Sequence, residues 1–180
     1  MFEIKPIDPR RYRRETRRSS LVVVAVFAML GMGLATLSVH LLGEPGGNNL
    51  RWNLGGVLAG LSLTVVLVRA AFWQRPWMEA ARYGWGLKRS LMRVTNSMHL
   101  VEQRLAADDP TALRVLRFYH LALDHMRDLD GQPGESGDDE AQREQVRLGL
   151  ERHGLALDQT HFDPAWIAQI RQTCVGSRQG

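Results

Sequence analysis

Two long runs without formal charge, separated by a short turn-forming segment, constrain this chain more than any other feature. The first run covers residues 19–43. Taken as helix over 21–42, it would reach about 33 Å at about 1.5 Å per residue, enough to cross a hydrocarbon core. Asp8-Pro9 supplies a capping carboxylate followed by a proline suited to the first helical position, so the helix should begin well before the apolar stretch. The segment "GEPGGNN" then breaks the pattern. The second run, "WNLGGVLAGLSLTVVLV", is uncharged over 52–68 and extends to Trp73 if Arg69 snorkels towards headgroups. Trp52 at one end, and Arg69, Phe72, Trp73 and Trp77 at the other, fit membrane-interface anchors. The competing reading is a pair of buried helices in a soluble core, but such helices seldom stay uncharged beyond about 18 residues. The expectation is a transmembrane hairpin over 21–73, with spans near 21–42 and 52–73.

Location of charge decides between this reading and a nucleic-acid arm. The chain of 180 residues carries a net charge of +4. Residues 1–20 hold seven basic and three acidic groups, whereas residues 74–180 hold fourteen basic and fifteen acidic ones. The excess sits in the first segment, and a basic arm abutting a spanning helix reads as a topology signal, with no nucleic acid among the expected partners. The 43–51 loop has a single basic residue and the 69–93 segment has six, so both termini should be cytoplasmic. The lipid bilayer, with anionic headgroups against both basic flanks, is the expected partner. "TRRSSLV" loosely echoes a twin-arginine export signal, but no A-x-A cleavage site follows the apolar run. Arginine outnumbers lysine 21 to 2, which fits a GC-rich bacterial genome, and Cys174 is the only cysteine.

Inside the hairpin, Gly31-x-x-x-Ala35, Gly55-x-x-x-Ala59 and Gly56-x-x-x-Gly60 are spacings that let helices approach closely, within one chain or between chains. His40 stands near the far end of the first span, where a structural role is the simpler reading.

Residues 74–180 read as an all-α cytoplasmic domain. Pro76 should break the chain after the second span. Ala80, Gly84, Leu87, Leu91, Val94, Met98, Val101 and Leu105 then recur at alternating intervals of four and three, predicting one long helix with a heptad-like stripe. Asp108-Asp109-Pro110 should stop it and start the next, whose apolar face runs from Ala112 to Leu129, making a long antiparallel hairpin. An internal core explains the stripe most simply. A seam between chains would use Leu87, Leu91, Val94 and Met98, with Leu87 and Leu91 left free to bind. "GQPGESGDDE" predicts an acidic loop, followed by a polar helix over 139–153 ended by Gly154. A short last helix should start at Asp163-Pro164 and carry Trp166, Ile167 and Ile170, with a frayed tail after it. No strand periodicity is visible.

Chemistry-bearing motifs are sparse. "GWGLKRS" lacks nucleotide-loop spacing, and there is no G-x-S-x-G or H-E-x-x-H. His120 and Asp124 stand at i, i+4 on one helical face, and His99 could join them across the hairpin. A metal site needs three or four convergent ligands, so no catalytic, cofactor or metal residue is assigned. The expected role is a non-catalytic interaction or assembly component that binds another membrane protein or a second copy of itself. An oligomeric channel or transport accessory is the alternative, and a metal-dependent enzyme around His99, His120 and Asp124 comes third.

The opening "MFEIKPIDPRRYRRETRRSSL", the "RWNLGGVLAGL" that begins the second run and the long helical tail together resemble a proteobacterial family. Its members are short two-span inner-membrane proteins carrying a domain of unknown function. The resemblance implies inner-membrane location and carries no activity, ligand or site residue.

Overall fold

A computed structural model describes residues 1–132 and 140–176. Most of the acidic loop and the last four residues lie outside them. The described chain is helical almost throughout, and it groups into two compact units, Tyr12–Arg82 and Met1–Arg11 with Tyr83–Gly180.

The first unit is a helical hairpin. Helix α1 spans Pro9–Leu42 and helix α2 spans Leu50–Leu67. As the Asp-Pro pair predicts, α1 starts at Pro9, where the Asp8 carboxylate accepts the Arg10 amide at 2.9 Å. Helix α1 runs unbroken from the basic segment into the apolar run, as a start at Asp8-Pro9 requires. Asn49 closes the turn between the helices: its amide oxygen accepts from Glu44 N at 2.9 Å and its NH2 donates to Glu44 O at 3.1 Å. Helix α2 passes into a π-helical turn, Val68–Phe72, in which the Trp73 amide reaches back to Val68 O at 2.7 Å. Pro76 ends this stretch as expected, holding Arg75 extended at φ −74° and ψ 144° before a 3-10 turn, Pro76–Met78. The hydroxyl of Ser19, 2% exposed on α1, lies 2.6 Å from Trp77 O and 2.8 Å from Glu15 O, clasping that turn to α1.

In the second unit the long stripe does not form one helix. Helix α3 is Glu79–Thr95 and helix α4 is Met98–Ala106, with a break at Asn96 and Ser97. Thr, Asn and Ser in succession favour local side-chain hydrogen bonds over continued helix. Thr95 Oγ1 donates to Leu91 O at 3.1 Å, and Ser97 leaves helical geometry at φ −122° and ψ 11°. Ser97 is fully buried, and its hydroxyl accepts from Arg171 Nη2 at 3.0 Å. Asp108 turns the chain at φ +55°, a conformation Asp tolerates better than most residues. Asp109 caps helix α5 (Pro110–Asp130) through Thr111 N at 2.7 Å.

Helix α5 is the hub of the second unit. It packs against α4, against helix α6 (Glu140–Arg152) and against helix α7 (Pro164–Gly176). Leu113, Val115, Leu116, Phe118 and Ala122 are all fully buried, because neighbours cover it on several sides. Gly149 on α6 permits the closest approach: a Cβ there would stand 2.6 Å from Leu113 Cδ2. Both α5 and α6 end at a left-handed glycine. Gly131 (φ +74°) and Gly154 (φ +62°) are each followed by an amide that bonds back to the helix, Gln132 N to Arg127 O and Leu155 N to Leu150 O.

The extreme N-terminus joins this unit through a pairing that the sequence pattern does not announce. Strand β1 (Phe2–Glu3) pairs antiparallel with β2 (His161–Phe162), Phe2 opposite Phe162. Phe162 stacks on Phe118 at 4.9 Å, and Phe2 meets Phe118 edge-on at 6.4 Å and Tyr83 at 5.5 Å. Phe118→Ala should therefore destabilise this unit by about 3–5 kcal/mol through cavity formation. Circular dichroism of the full protein in mild detergent, titrated with urea, measures it.

Candidate functional site

The small residues of the hairpin form a seam. A Cβ added at Gly60 would stand 2.6 Å from the Gly31 Cα, and one at Gly56 would overlap Ala35 Cα and Leu34 O. Gly31, Ala35, Gly56 and Gly60 are all buried, so the two backbones meet there almost without intervening side chains. Thr64 extends the line by one more turn; it is 3% exposed and its hydroxyl donates to Gly60 O at 2.7 Å. Its spacing of four from Gly60 is the signal that would have revealed it. Gly55 and Ala59 are exposed instead and take no part in the seam. Thr36 and Ser62 likewise bond back to Met32 O and Leu58 O of their own helices, each at 2.9 Å.

Elsewhere the helices turn their apolar side chains outward. Only 11% of the most apolar stretch of Pro9–Leu42 and 17% of that of Leu50–Phe72 are buried, whereas a soluble core helix is mostly covered. Both are long and apolar enough to cross a membrane. Of the expected anchors, Trp52 is half-buried with the Arg51 guanidinium 5.0 Å from its ring. Arg69 is exposed on the π turn, and Trp73 and Trp77 are half-buried near the clasp. Phe72 and Trp77 meet edge-on at 5.3 Å.

The heptad-like stripe faces inward. Leu87 is 1% exposed, Leu91 7% and Val94 0%, while Met98 at the break is half-buried. The expected freedom of Leu87 and Leu91 to bind another chain is thus corrected: their own domain covers them. What α3 leaves outside is its opposite side, with Trp85 and Met92 exposed.

The histidine–carboxylate constellation disperses into structural contacts. The Asp124 carboxylate chelates Arg143 at 2.6 and 2.9 Å, and His120 Nε2 lies 3.2 Å from Gln142 Oε1, so both residues reach across to α6. His99 is exposed on α4. Among the described residues no group of three or more His, Cys, Asp and Glu is placed to hold a metal ion. The Arg143 hydrogen bonds and charge hold Asp124 below the ordinary carboxylate range, against the opposing effect of partial burial. At Asp109 burial pushes upward, but Arg104 at 2.8 Å and the Thr111 amide together lower it. Asp108 ties the same corner to the end of α6, accepting from Arg152 Nη2 at 2.9 Å and lying 3.0 Å from His153 Nε2.

Residues 2–167 match the family described as "Protein of unknown function (DUF3087)". The chain belongs to this family. No curated protein and no solved structure matches it. The family's description assigns no activity, so the geometry alone bears on what the protein does.

Two outcomes test this geometry. Gly56→Val should weaken the hairpin by about 1–3 kcal/mol through overpacking, while Gly55→Val, beside open space, should change it by less than about 0.5 kcal/mol. Titrating the purified protein from mild detergent into dodecyl sulfate, with helicity as readout, separates the two. The second outcome concerns acid. Carboxyls whose folded pKa is lowered stabilise the fold above their unfolded value and lose that contribution as pH falls through the folded one. The α5–α6 contact should therefore loosen below about pH 4, where carboxylates protonate. Asp124→Asn should flatten that loss when urea midpoints are compared between pH 6 and pH 3.

Proposed function

We propose that this protein is a two-span component of a bacterial inner membrane, with both termini cytoplasmic. In this reading its hairpin tethers a helical domain that binds other proteins rather than performing catalysis. The observation that carries the reading is the outward apolar surface of α1 and α2, which meet backbone to backbone along the glycine seam. Such an arrangement suits lipid, where helices gain nothing hydrophobic by associating and small residues supply the close packing. The orientation rests on seven basic residues before the first apolar run, one in the 43–51 loop and six over 69–93.

Another membrane protein, or a second copy of this chain, is the proposed partner of the domain. A channel or transport accessory draws less support. The hydroxyls of Thr36, Ser62 and Thr64 are all satisfied within their own helices, and the spans carry no acidic group that could mark an ion path.

Topology and anchoring are tested together. In a Cys174→Ser background, Asn48→Cys should react with a membrane-impermeant maleimide in right-side-out vesicles, and Ala156→Cys only in inverted ones. Alkaline carbonate washing should leave the protein in the pellet. Release into the supernatant would remove the anchor reading, and reversed labelling would remove the orientation. In-membrane photocrosslinking from the exposed surface of the helical domain should yield discrete adducts. Their complete absence would count against an interaction role.

A further inference from the structure

Helix α3 has two faces, one buried and one largely exposed. Gly84, Leu87, Leu91 and Val94 are buried, while Trp85 (51% exposed), Lys88, Arg89, Met92 (62% exposed) and Arg93 face out. Over residues 83–95 the helix contains three cations and no acid. The Arg89 guanidinium lies over the Trp85 ring at 4.9 Å, and Lys88 pairs with Asp130 of α5 at 3.8 Å. Asp130 thus offsets Lys88, leaving Arg89 and Arg93 as the cations beside the exposed indole and thioether.

Indole, thioether and guanidinium side by side suit the boundary between lipid headgroups and acyl chains. Trp enters that layer with its ring in the apolar part, and arginine forks bind phosphate oxygens in pairs. Covalent geometry favours the encounter. Helix α3 begins at Glu79, seven residues after Phe72, and an extended chain of that length reaches at most roughly 25 Å. If the hairpin spans a bilayer, the start of α3 is therefore held within that distance of the end of the second span. A second copy of the same face would instead oppose like charges.

We propose that the outer face of α3, formed by Trp85, Arg89, Met92 and Arg93, lies on the headgroup layer of an anionic bilayer. The proposal rests on the reading of the hairpin as a membrane anchor. It assigns the exposed face to lipid, and the buried stripe to the domain's own core.

The test uses full-length protein with Cys174→Ser and a nitroxide on Met92→Cys. The protein is reconstituted into phosphatidylcholine vesicles with and without phosphatidylglycerol. Collision of the label with a water-soluble nickel chelate should fall at least about threefold when the anionic lipid is present, and high salt should reverse the change. Arg89→Glu with Arg93→Glu should abolish the difference. A label on Val24→Cys, exposed on α1, should be reached by oxygen and shielded from the chelate in both vesicles. A label on Ala156→Cys should stay open to the chelate in both. If the Val24 label is open to the chelate, the anchor reading fails and this proposal falls with it. If the Val24 label behaves as expected but the Met92 label is equally open in both vesicles, the anchor stands and this proposal is overturned. Protection of Met92 in both vesicles, with spin–spin broadening that unlabelled protein dilutes away, would assign the face to a second copy and overturn it too.

Discussion

Two helices whose apolar side chains point outward can hold together only where side chains nearly vanish. That constraint governs the hairpin. At Gly31 against Gly60, and at Ala35 against Gly56, the backbones themselves meet, and a Cβ added at Gly56 or Gly60 would have to displace main chain. Dispersion between close-packed backbones holds the two helices together along this line. The buried hydroxyls follow the same logic. Thr64 returns its proton to Gly60 O, and Ser19 lies against the carbonyls of Glu15 and Trp77, so these two buried hydroxyls are satisfied within the hairpin. The Asn49 bracket closes one end of the hairpin and the Ser19 clasp the other.

The second unit is organised on a different principle, burial around one central helix. Helix α5 is covered by α4, α6 and α7, and its Phe118 forms the middle of an aromatic cluster with Phe2 and Phe162. The charged groups of this unit act at its corners. Asp109 caps α5 while held by Arg104, Asp108 reaches the end of α6, and Asp124 chelates Arg143 between α5 and α6. The more exposed of these pairs, such as Arg152 with Asp108, contribute little individually. Their value lies in register: each joins a helix end or turn to a neighbour at one geometry. His120 and Asp124, which on sequence alone resemble the start of a catalytic or metal-binding group, both bond to α6, through Gln142 and Arg143.

The apolar stripe of α3 shows why a heptad pattern is a poor guide to partners. A period of seven says that one side of a helix is covered, not by what. Here the cover comes from within the chain, and the break at Asn96 and Ser97, pinned by Arg171, removes the length that a coiled coil between chains would need. The side of α3 opposite the stripe is mixed instead, with exposed Trp85 and Met92 beside Arg89.

The sequence by itself determined what acts over a few residues. The absence of charge marked the two apolar helices, Asp8-Pro9, Asp109-Pro110 and Asp163-Pro164 marked three helix starts, and Gly154 marked a helix end. Each is a local rule about caps, φ angles or transfer to an apolar medium, so neighbours along the chain suffice to read it. Gly31, Ala35, Gly56 and Gly60 were legible as small-residue spacings, but not which of them meet, nor that Gly55 and Ala59 stay outside. Tertiary structure alone decided these pairings, the inward turn of Leu87 and Leu91, the dispersal of His99, His120 and Asp124, and the joining of Phe2 to Phe162. Those outcomes depend on contacts between segments far apart in the chain, where packing selects among many faces that local periodicity leaves equivalent.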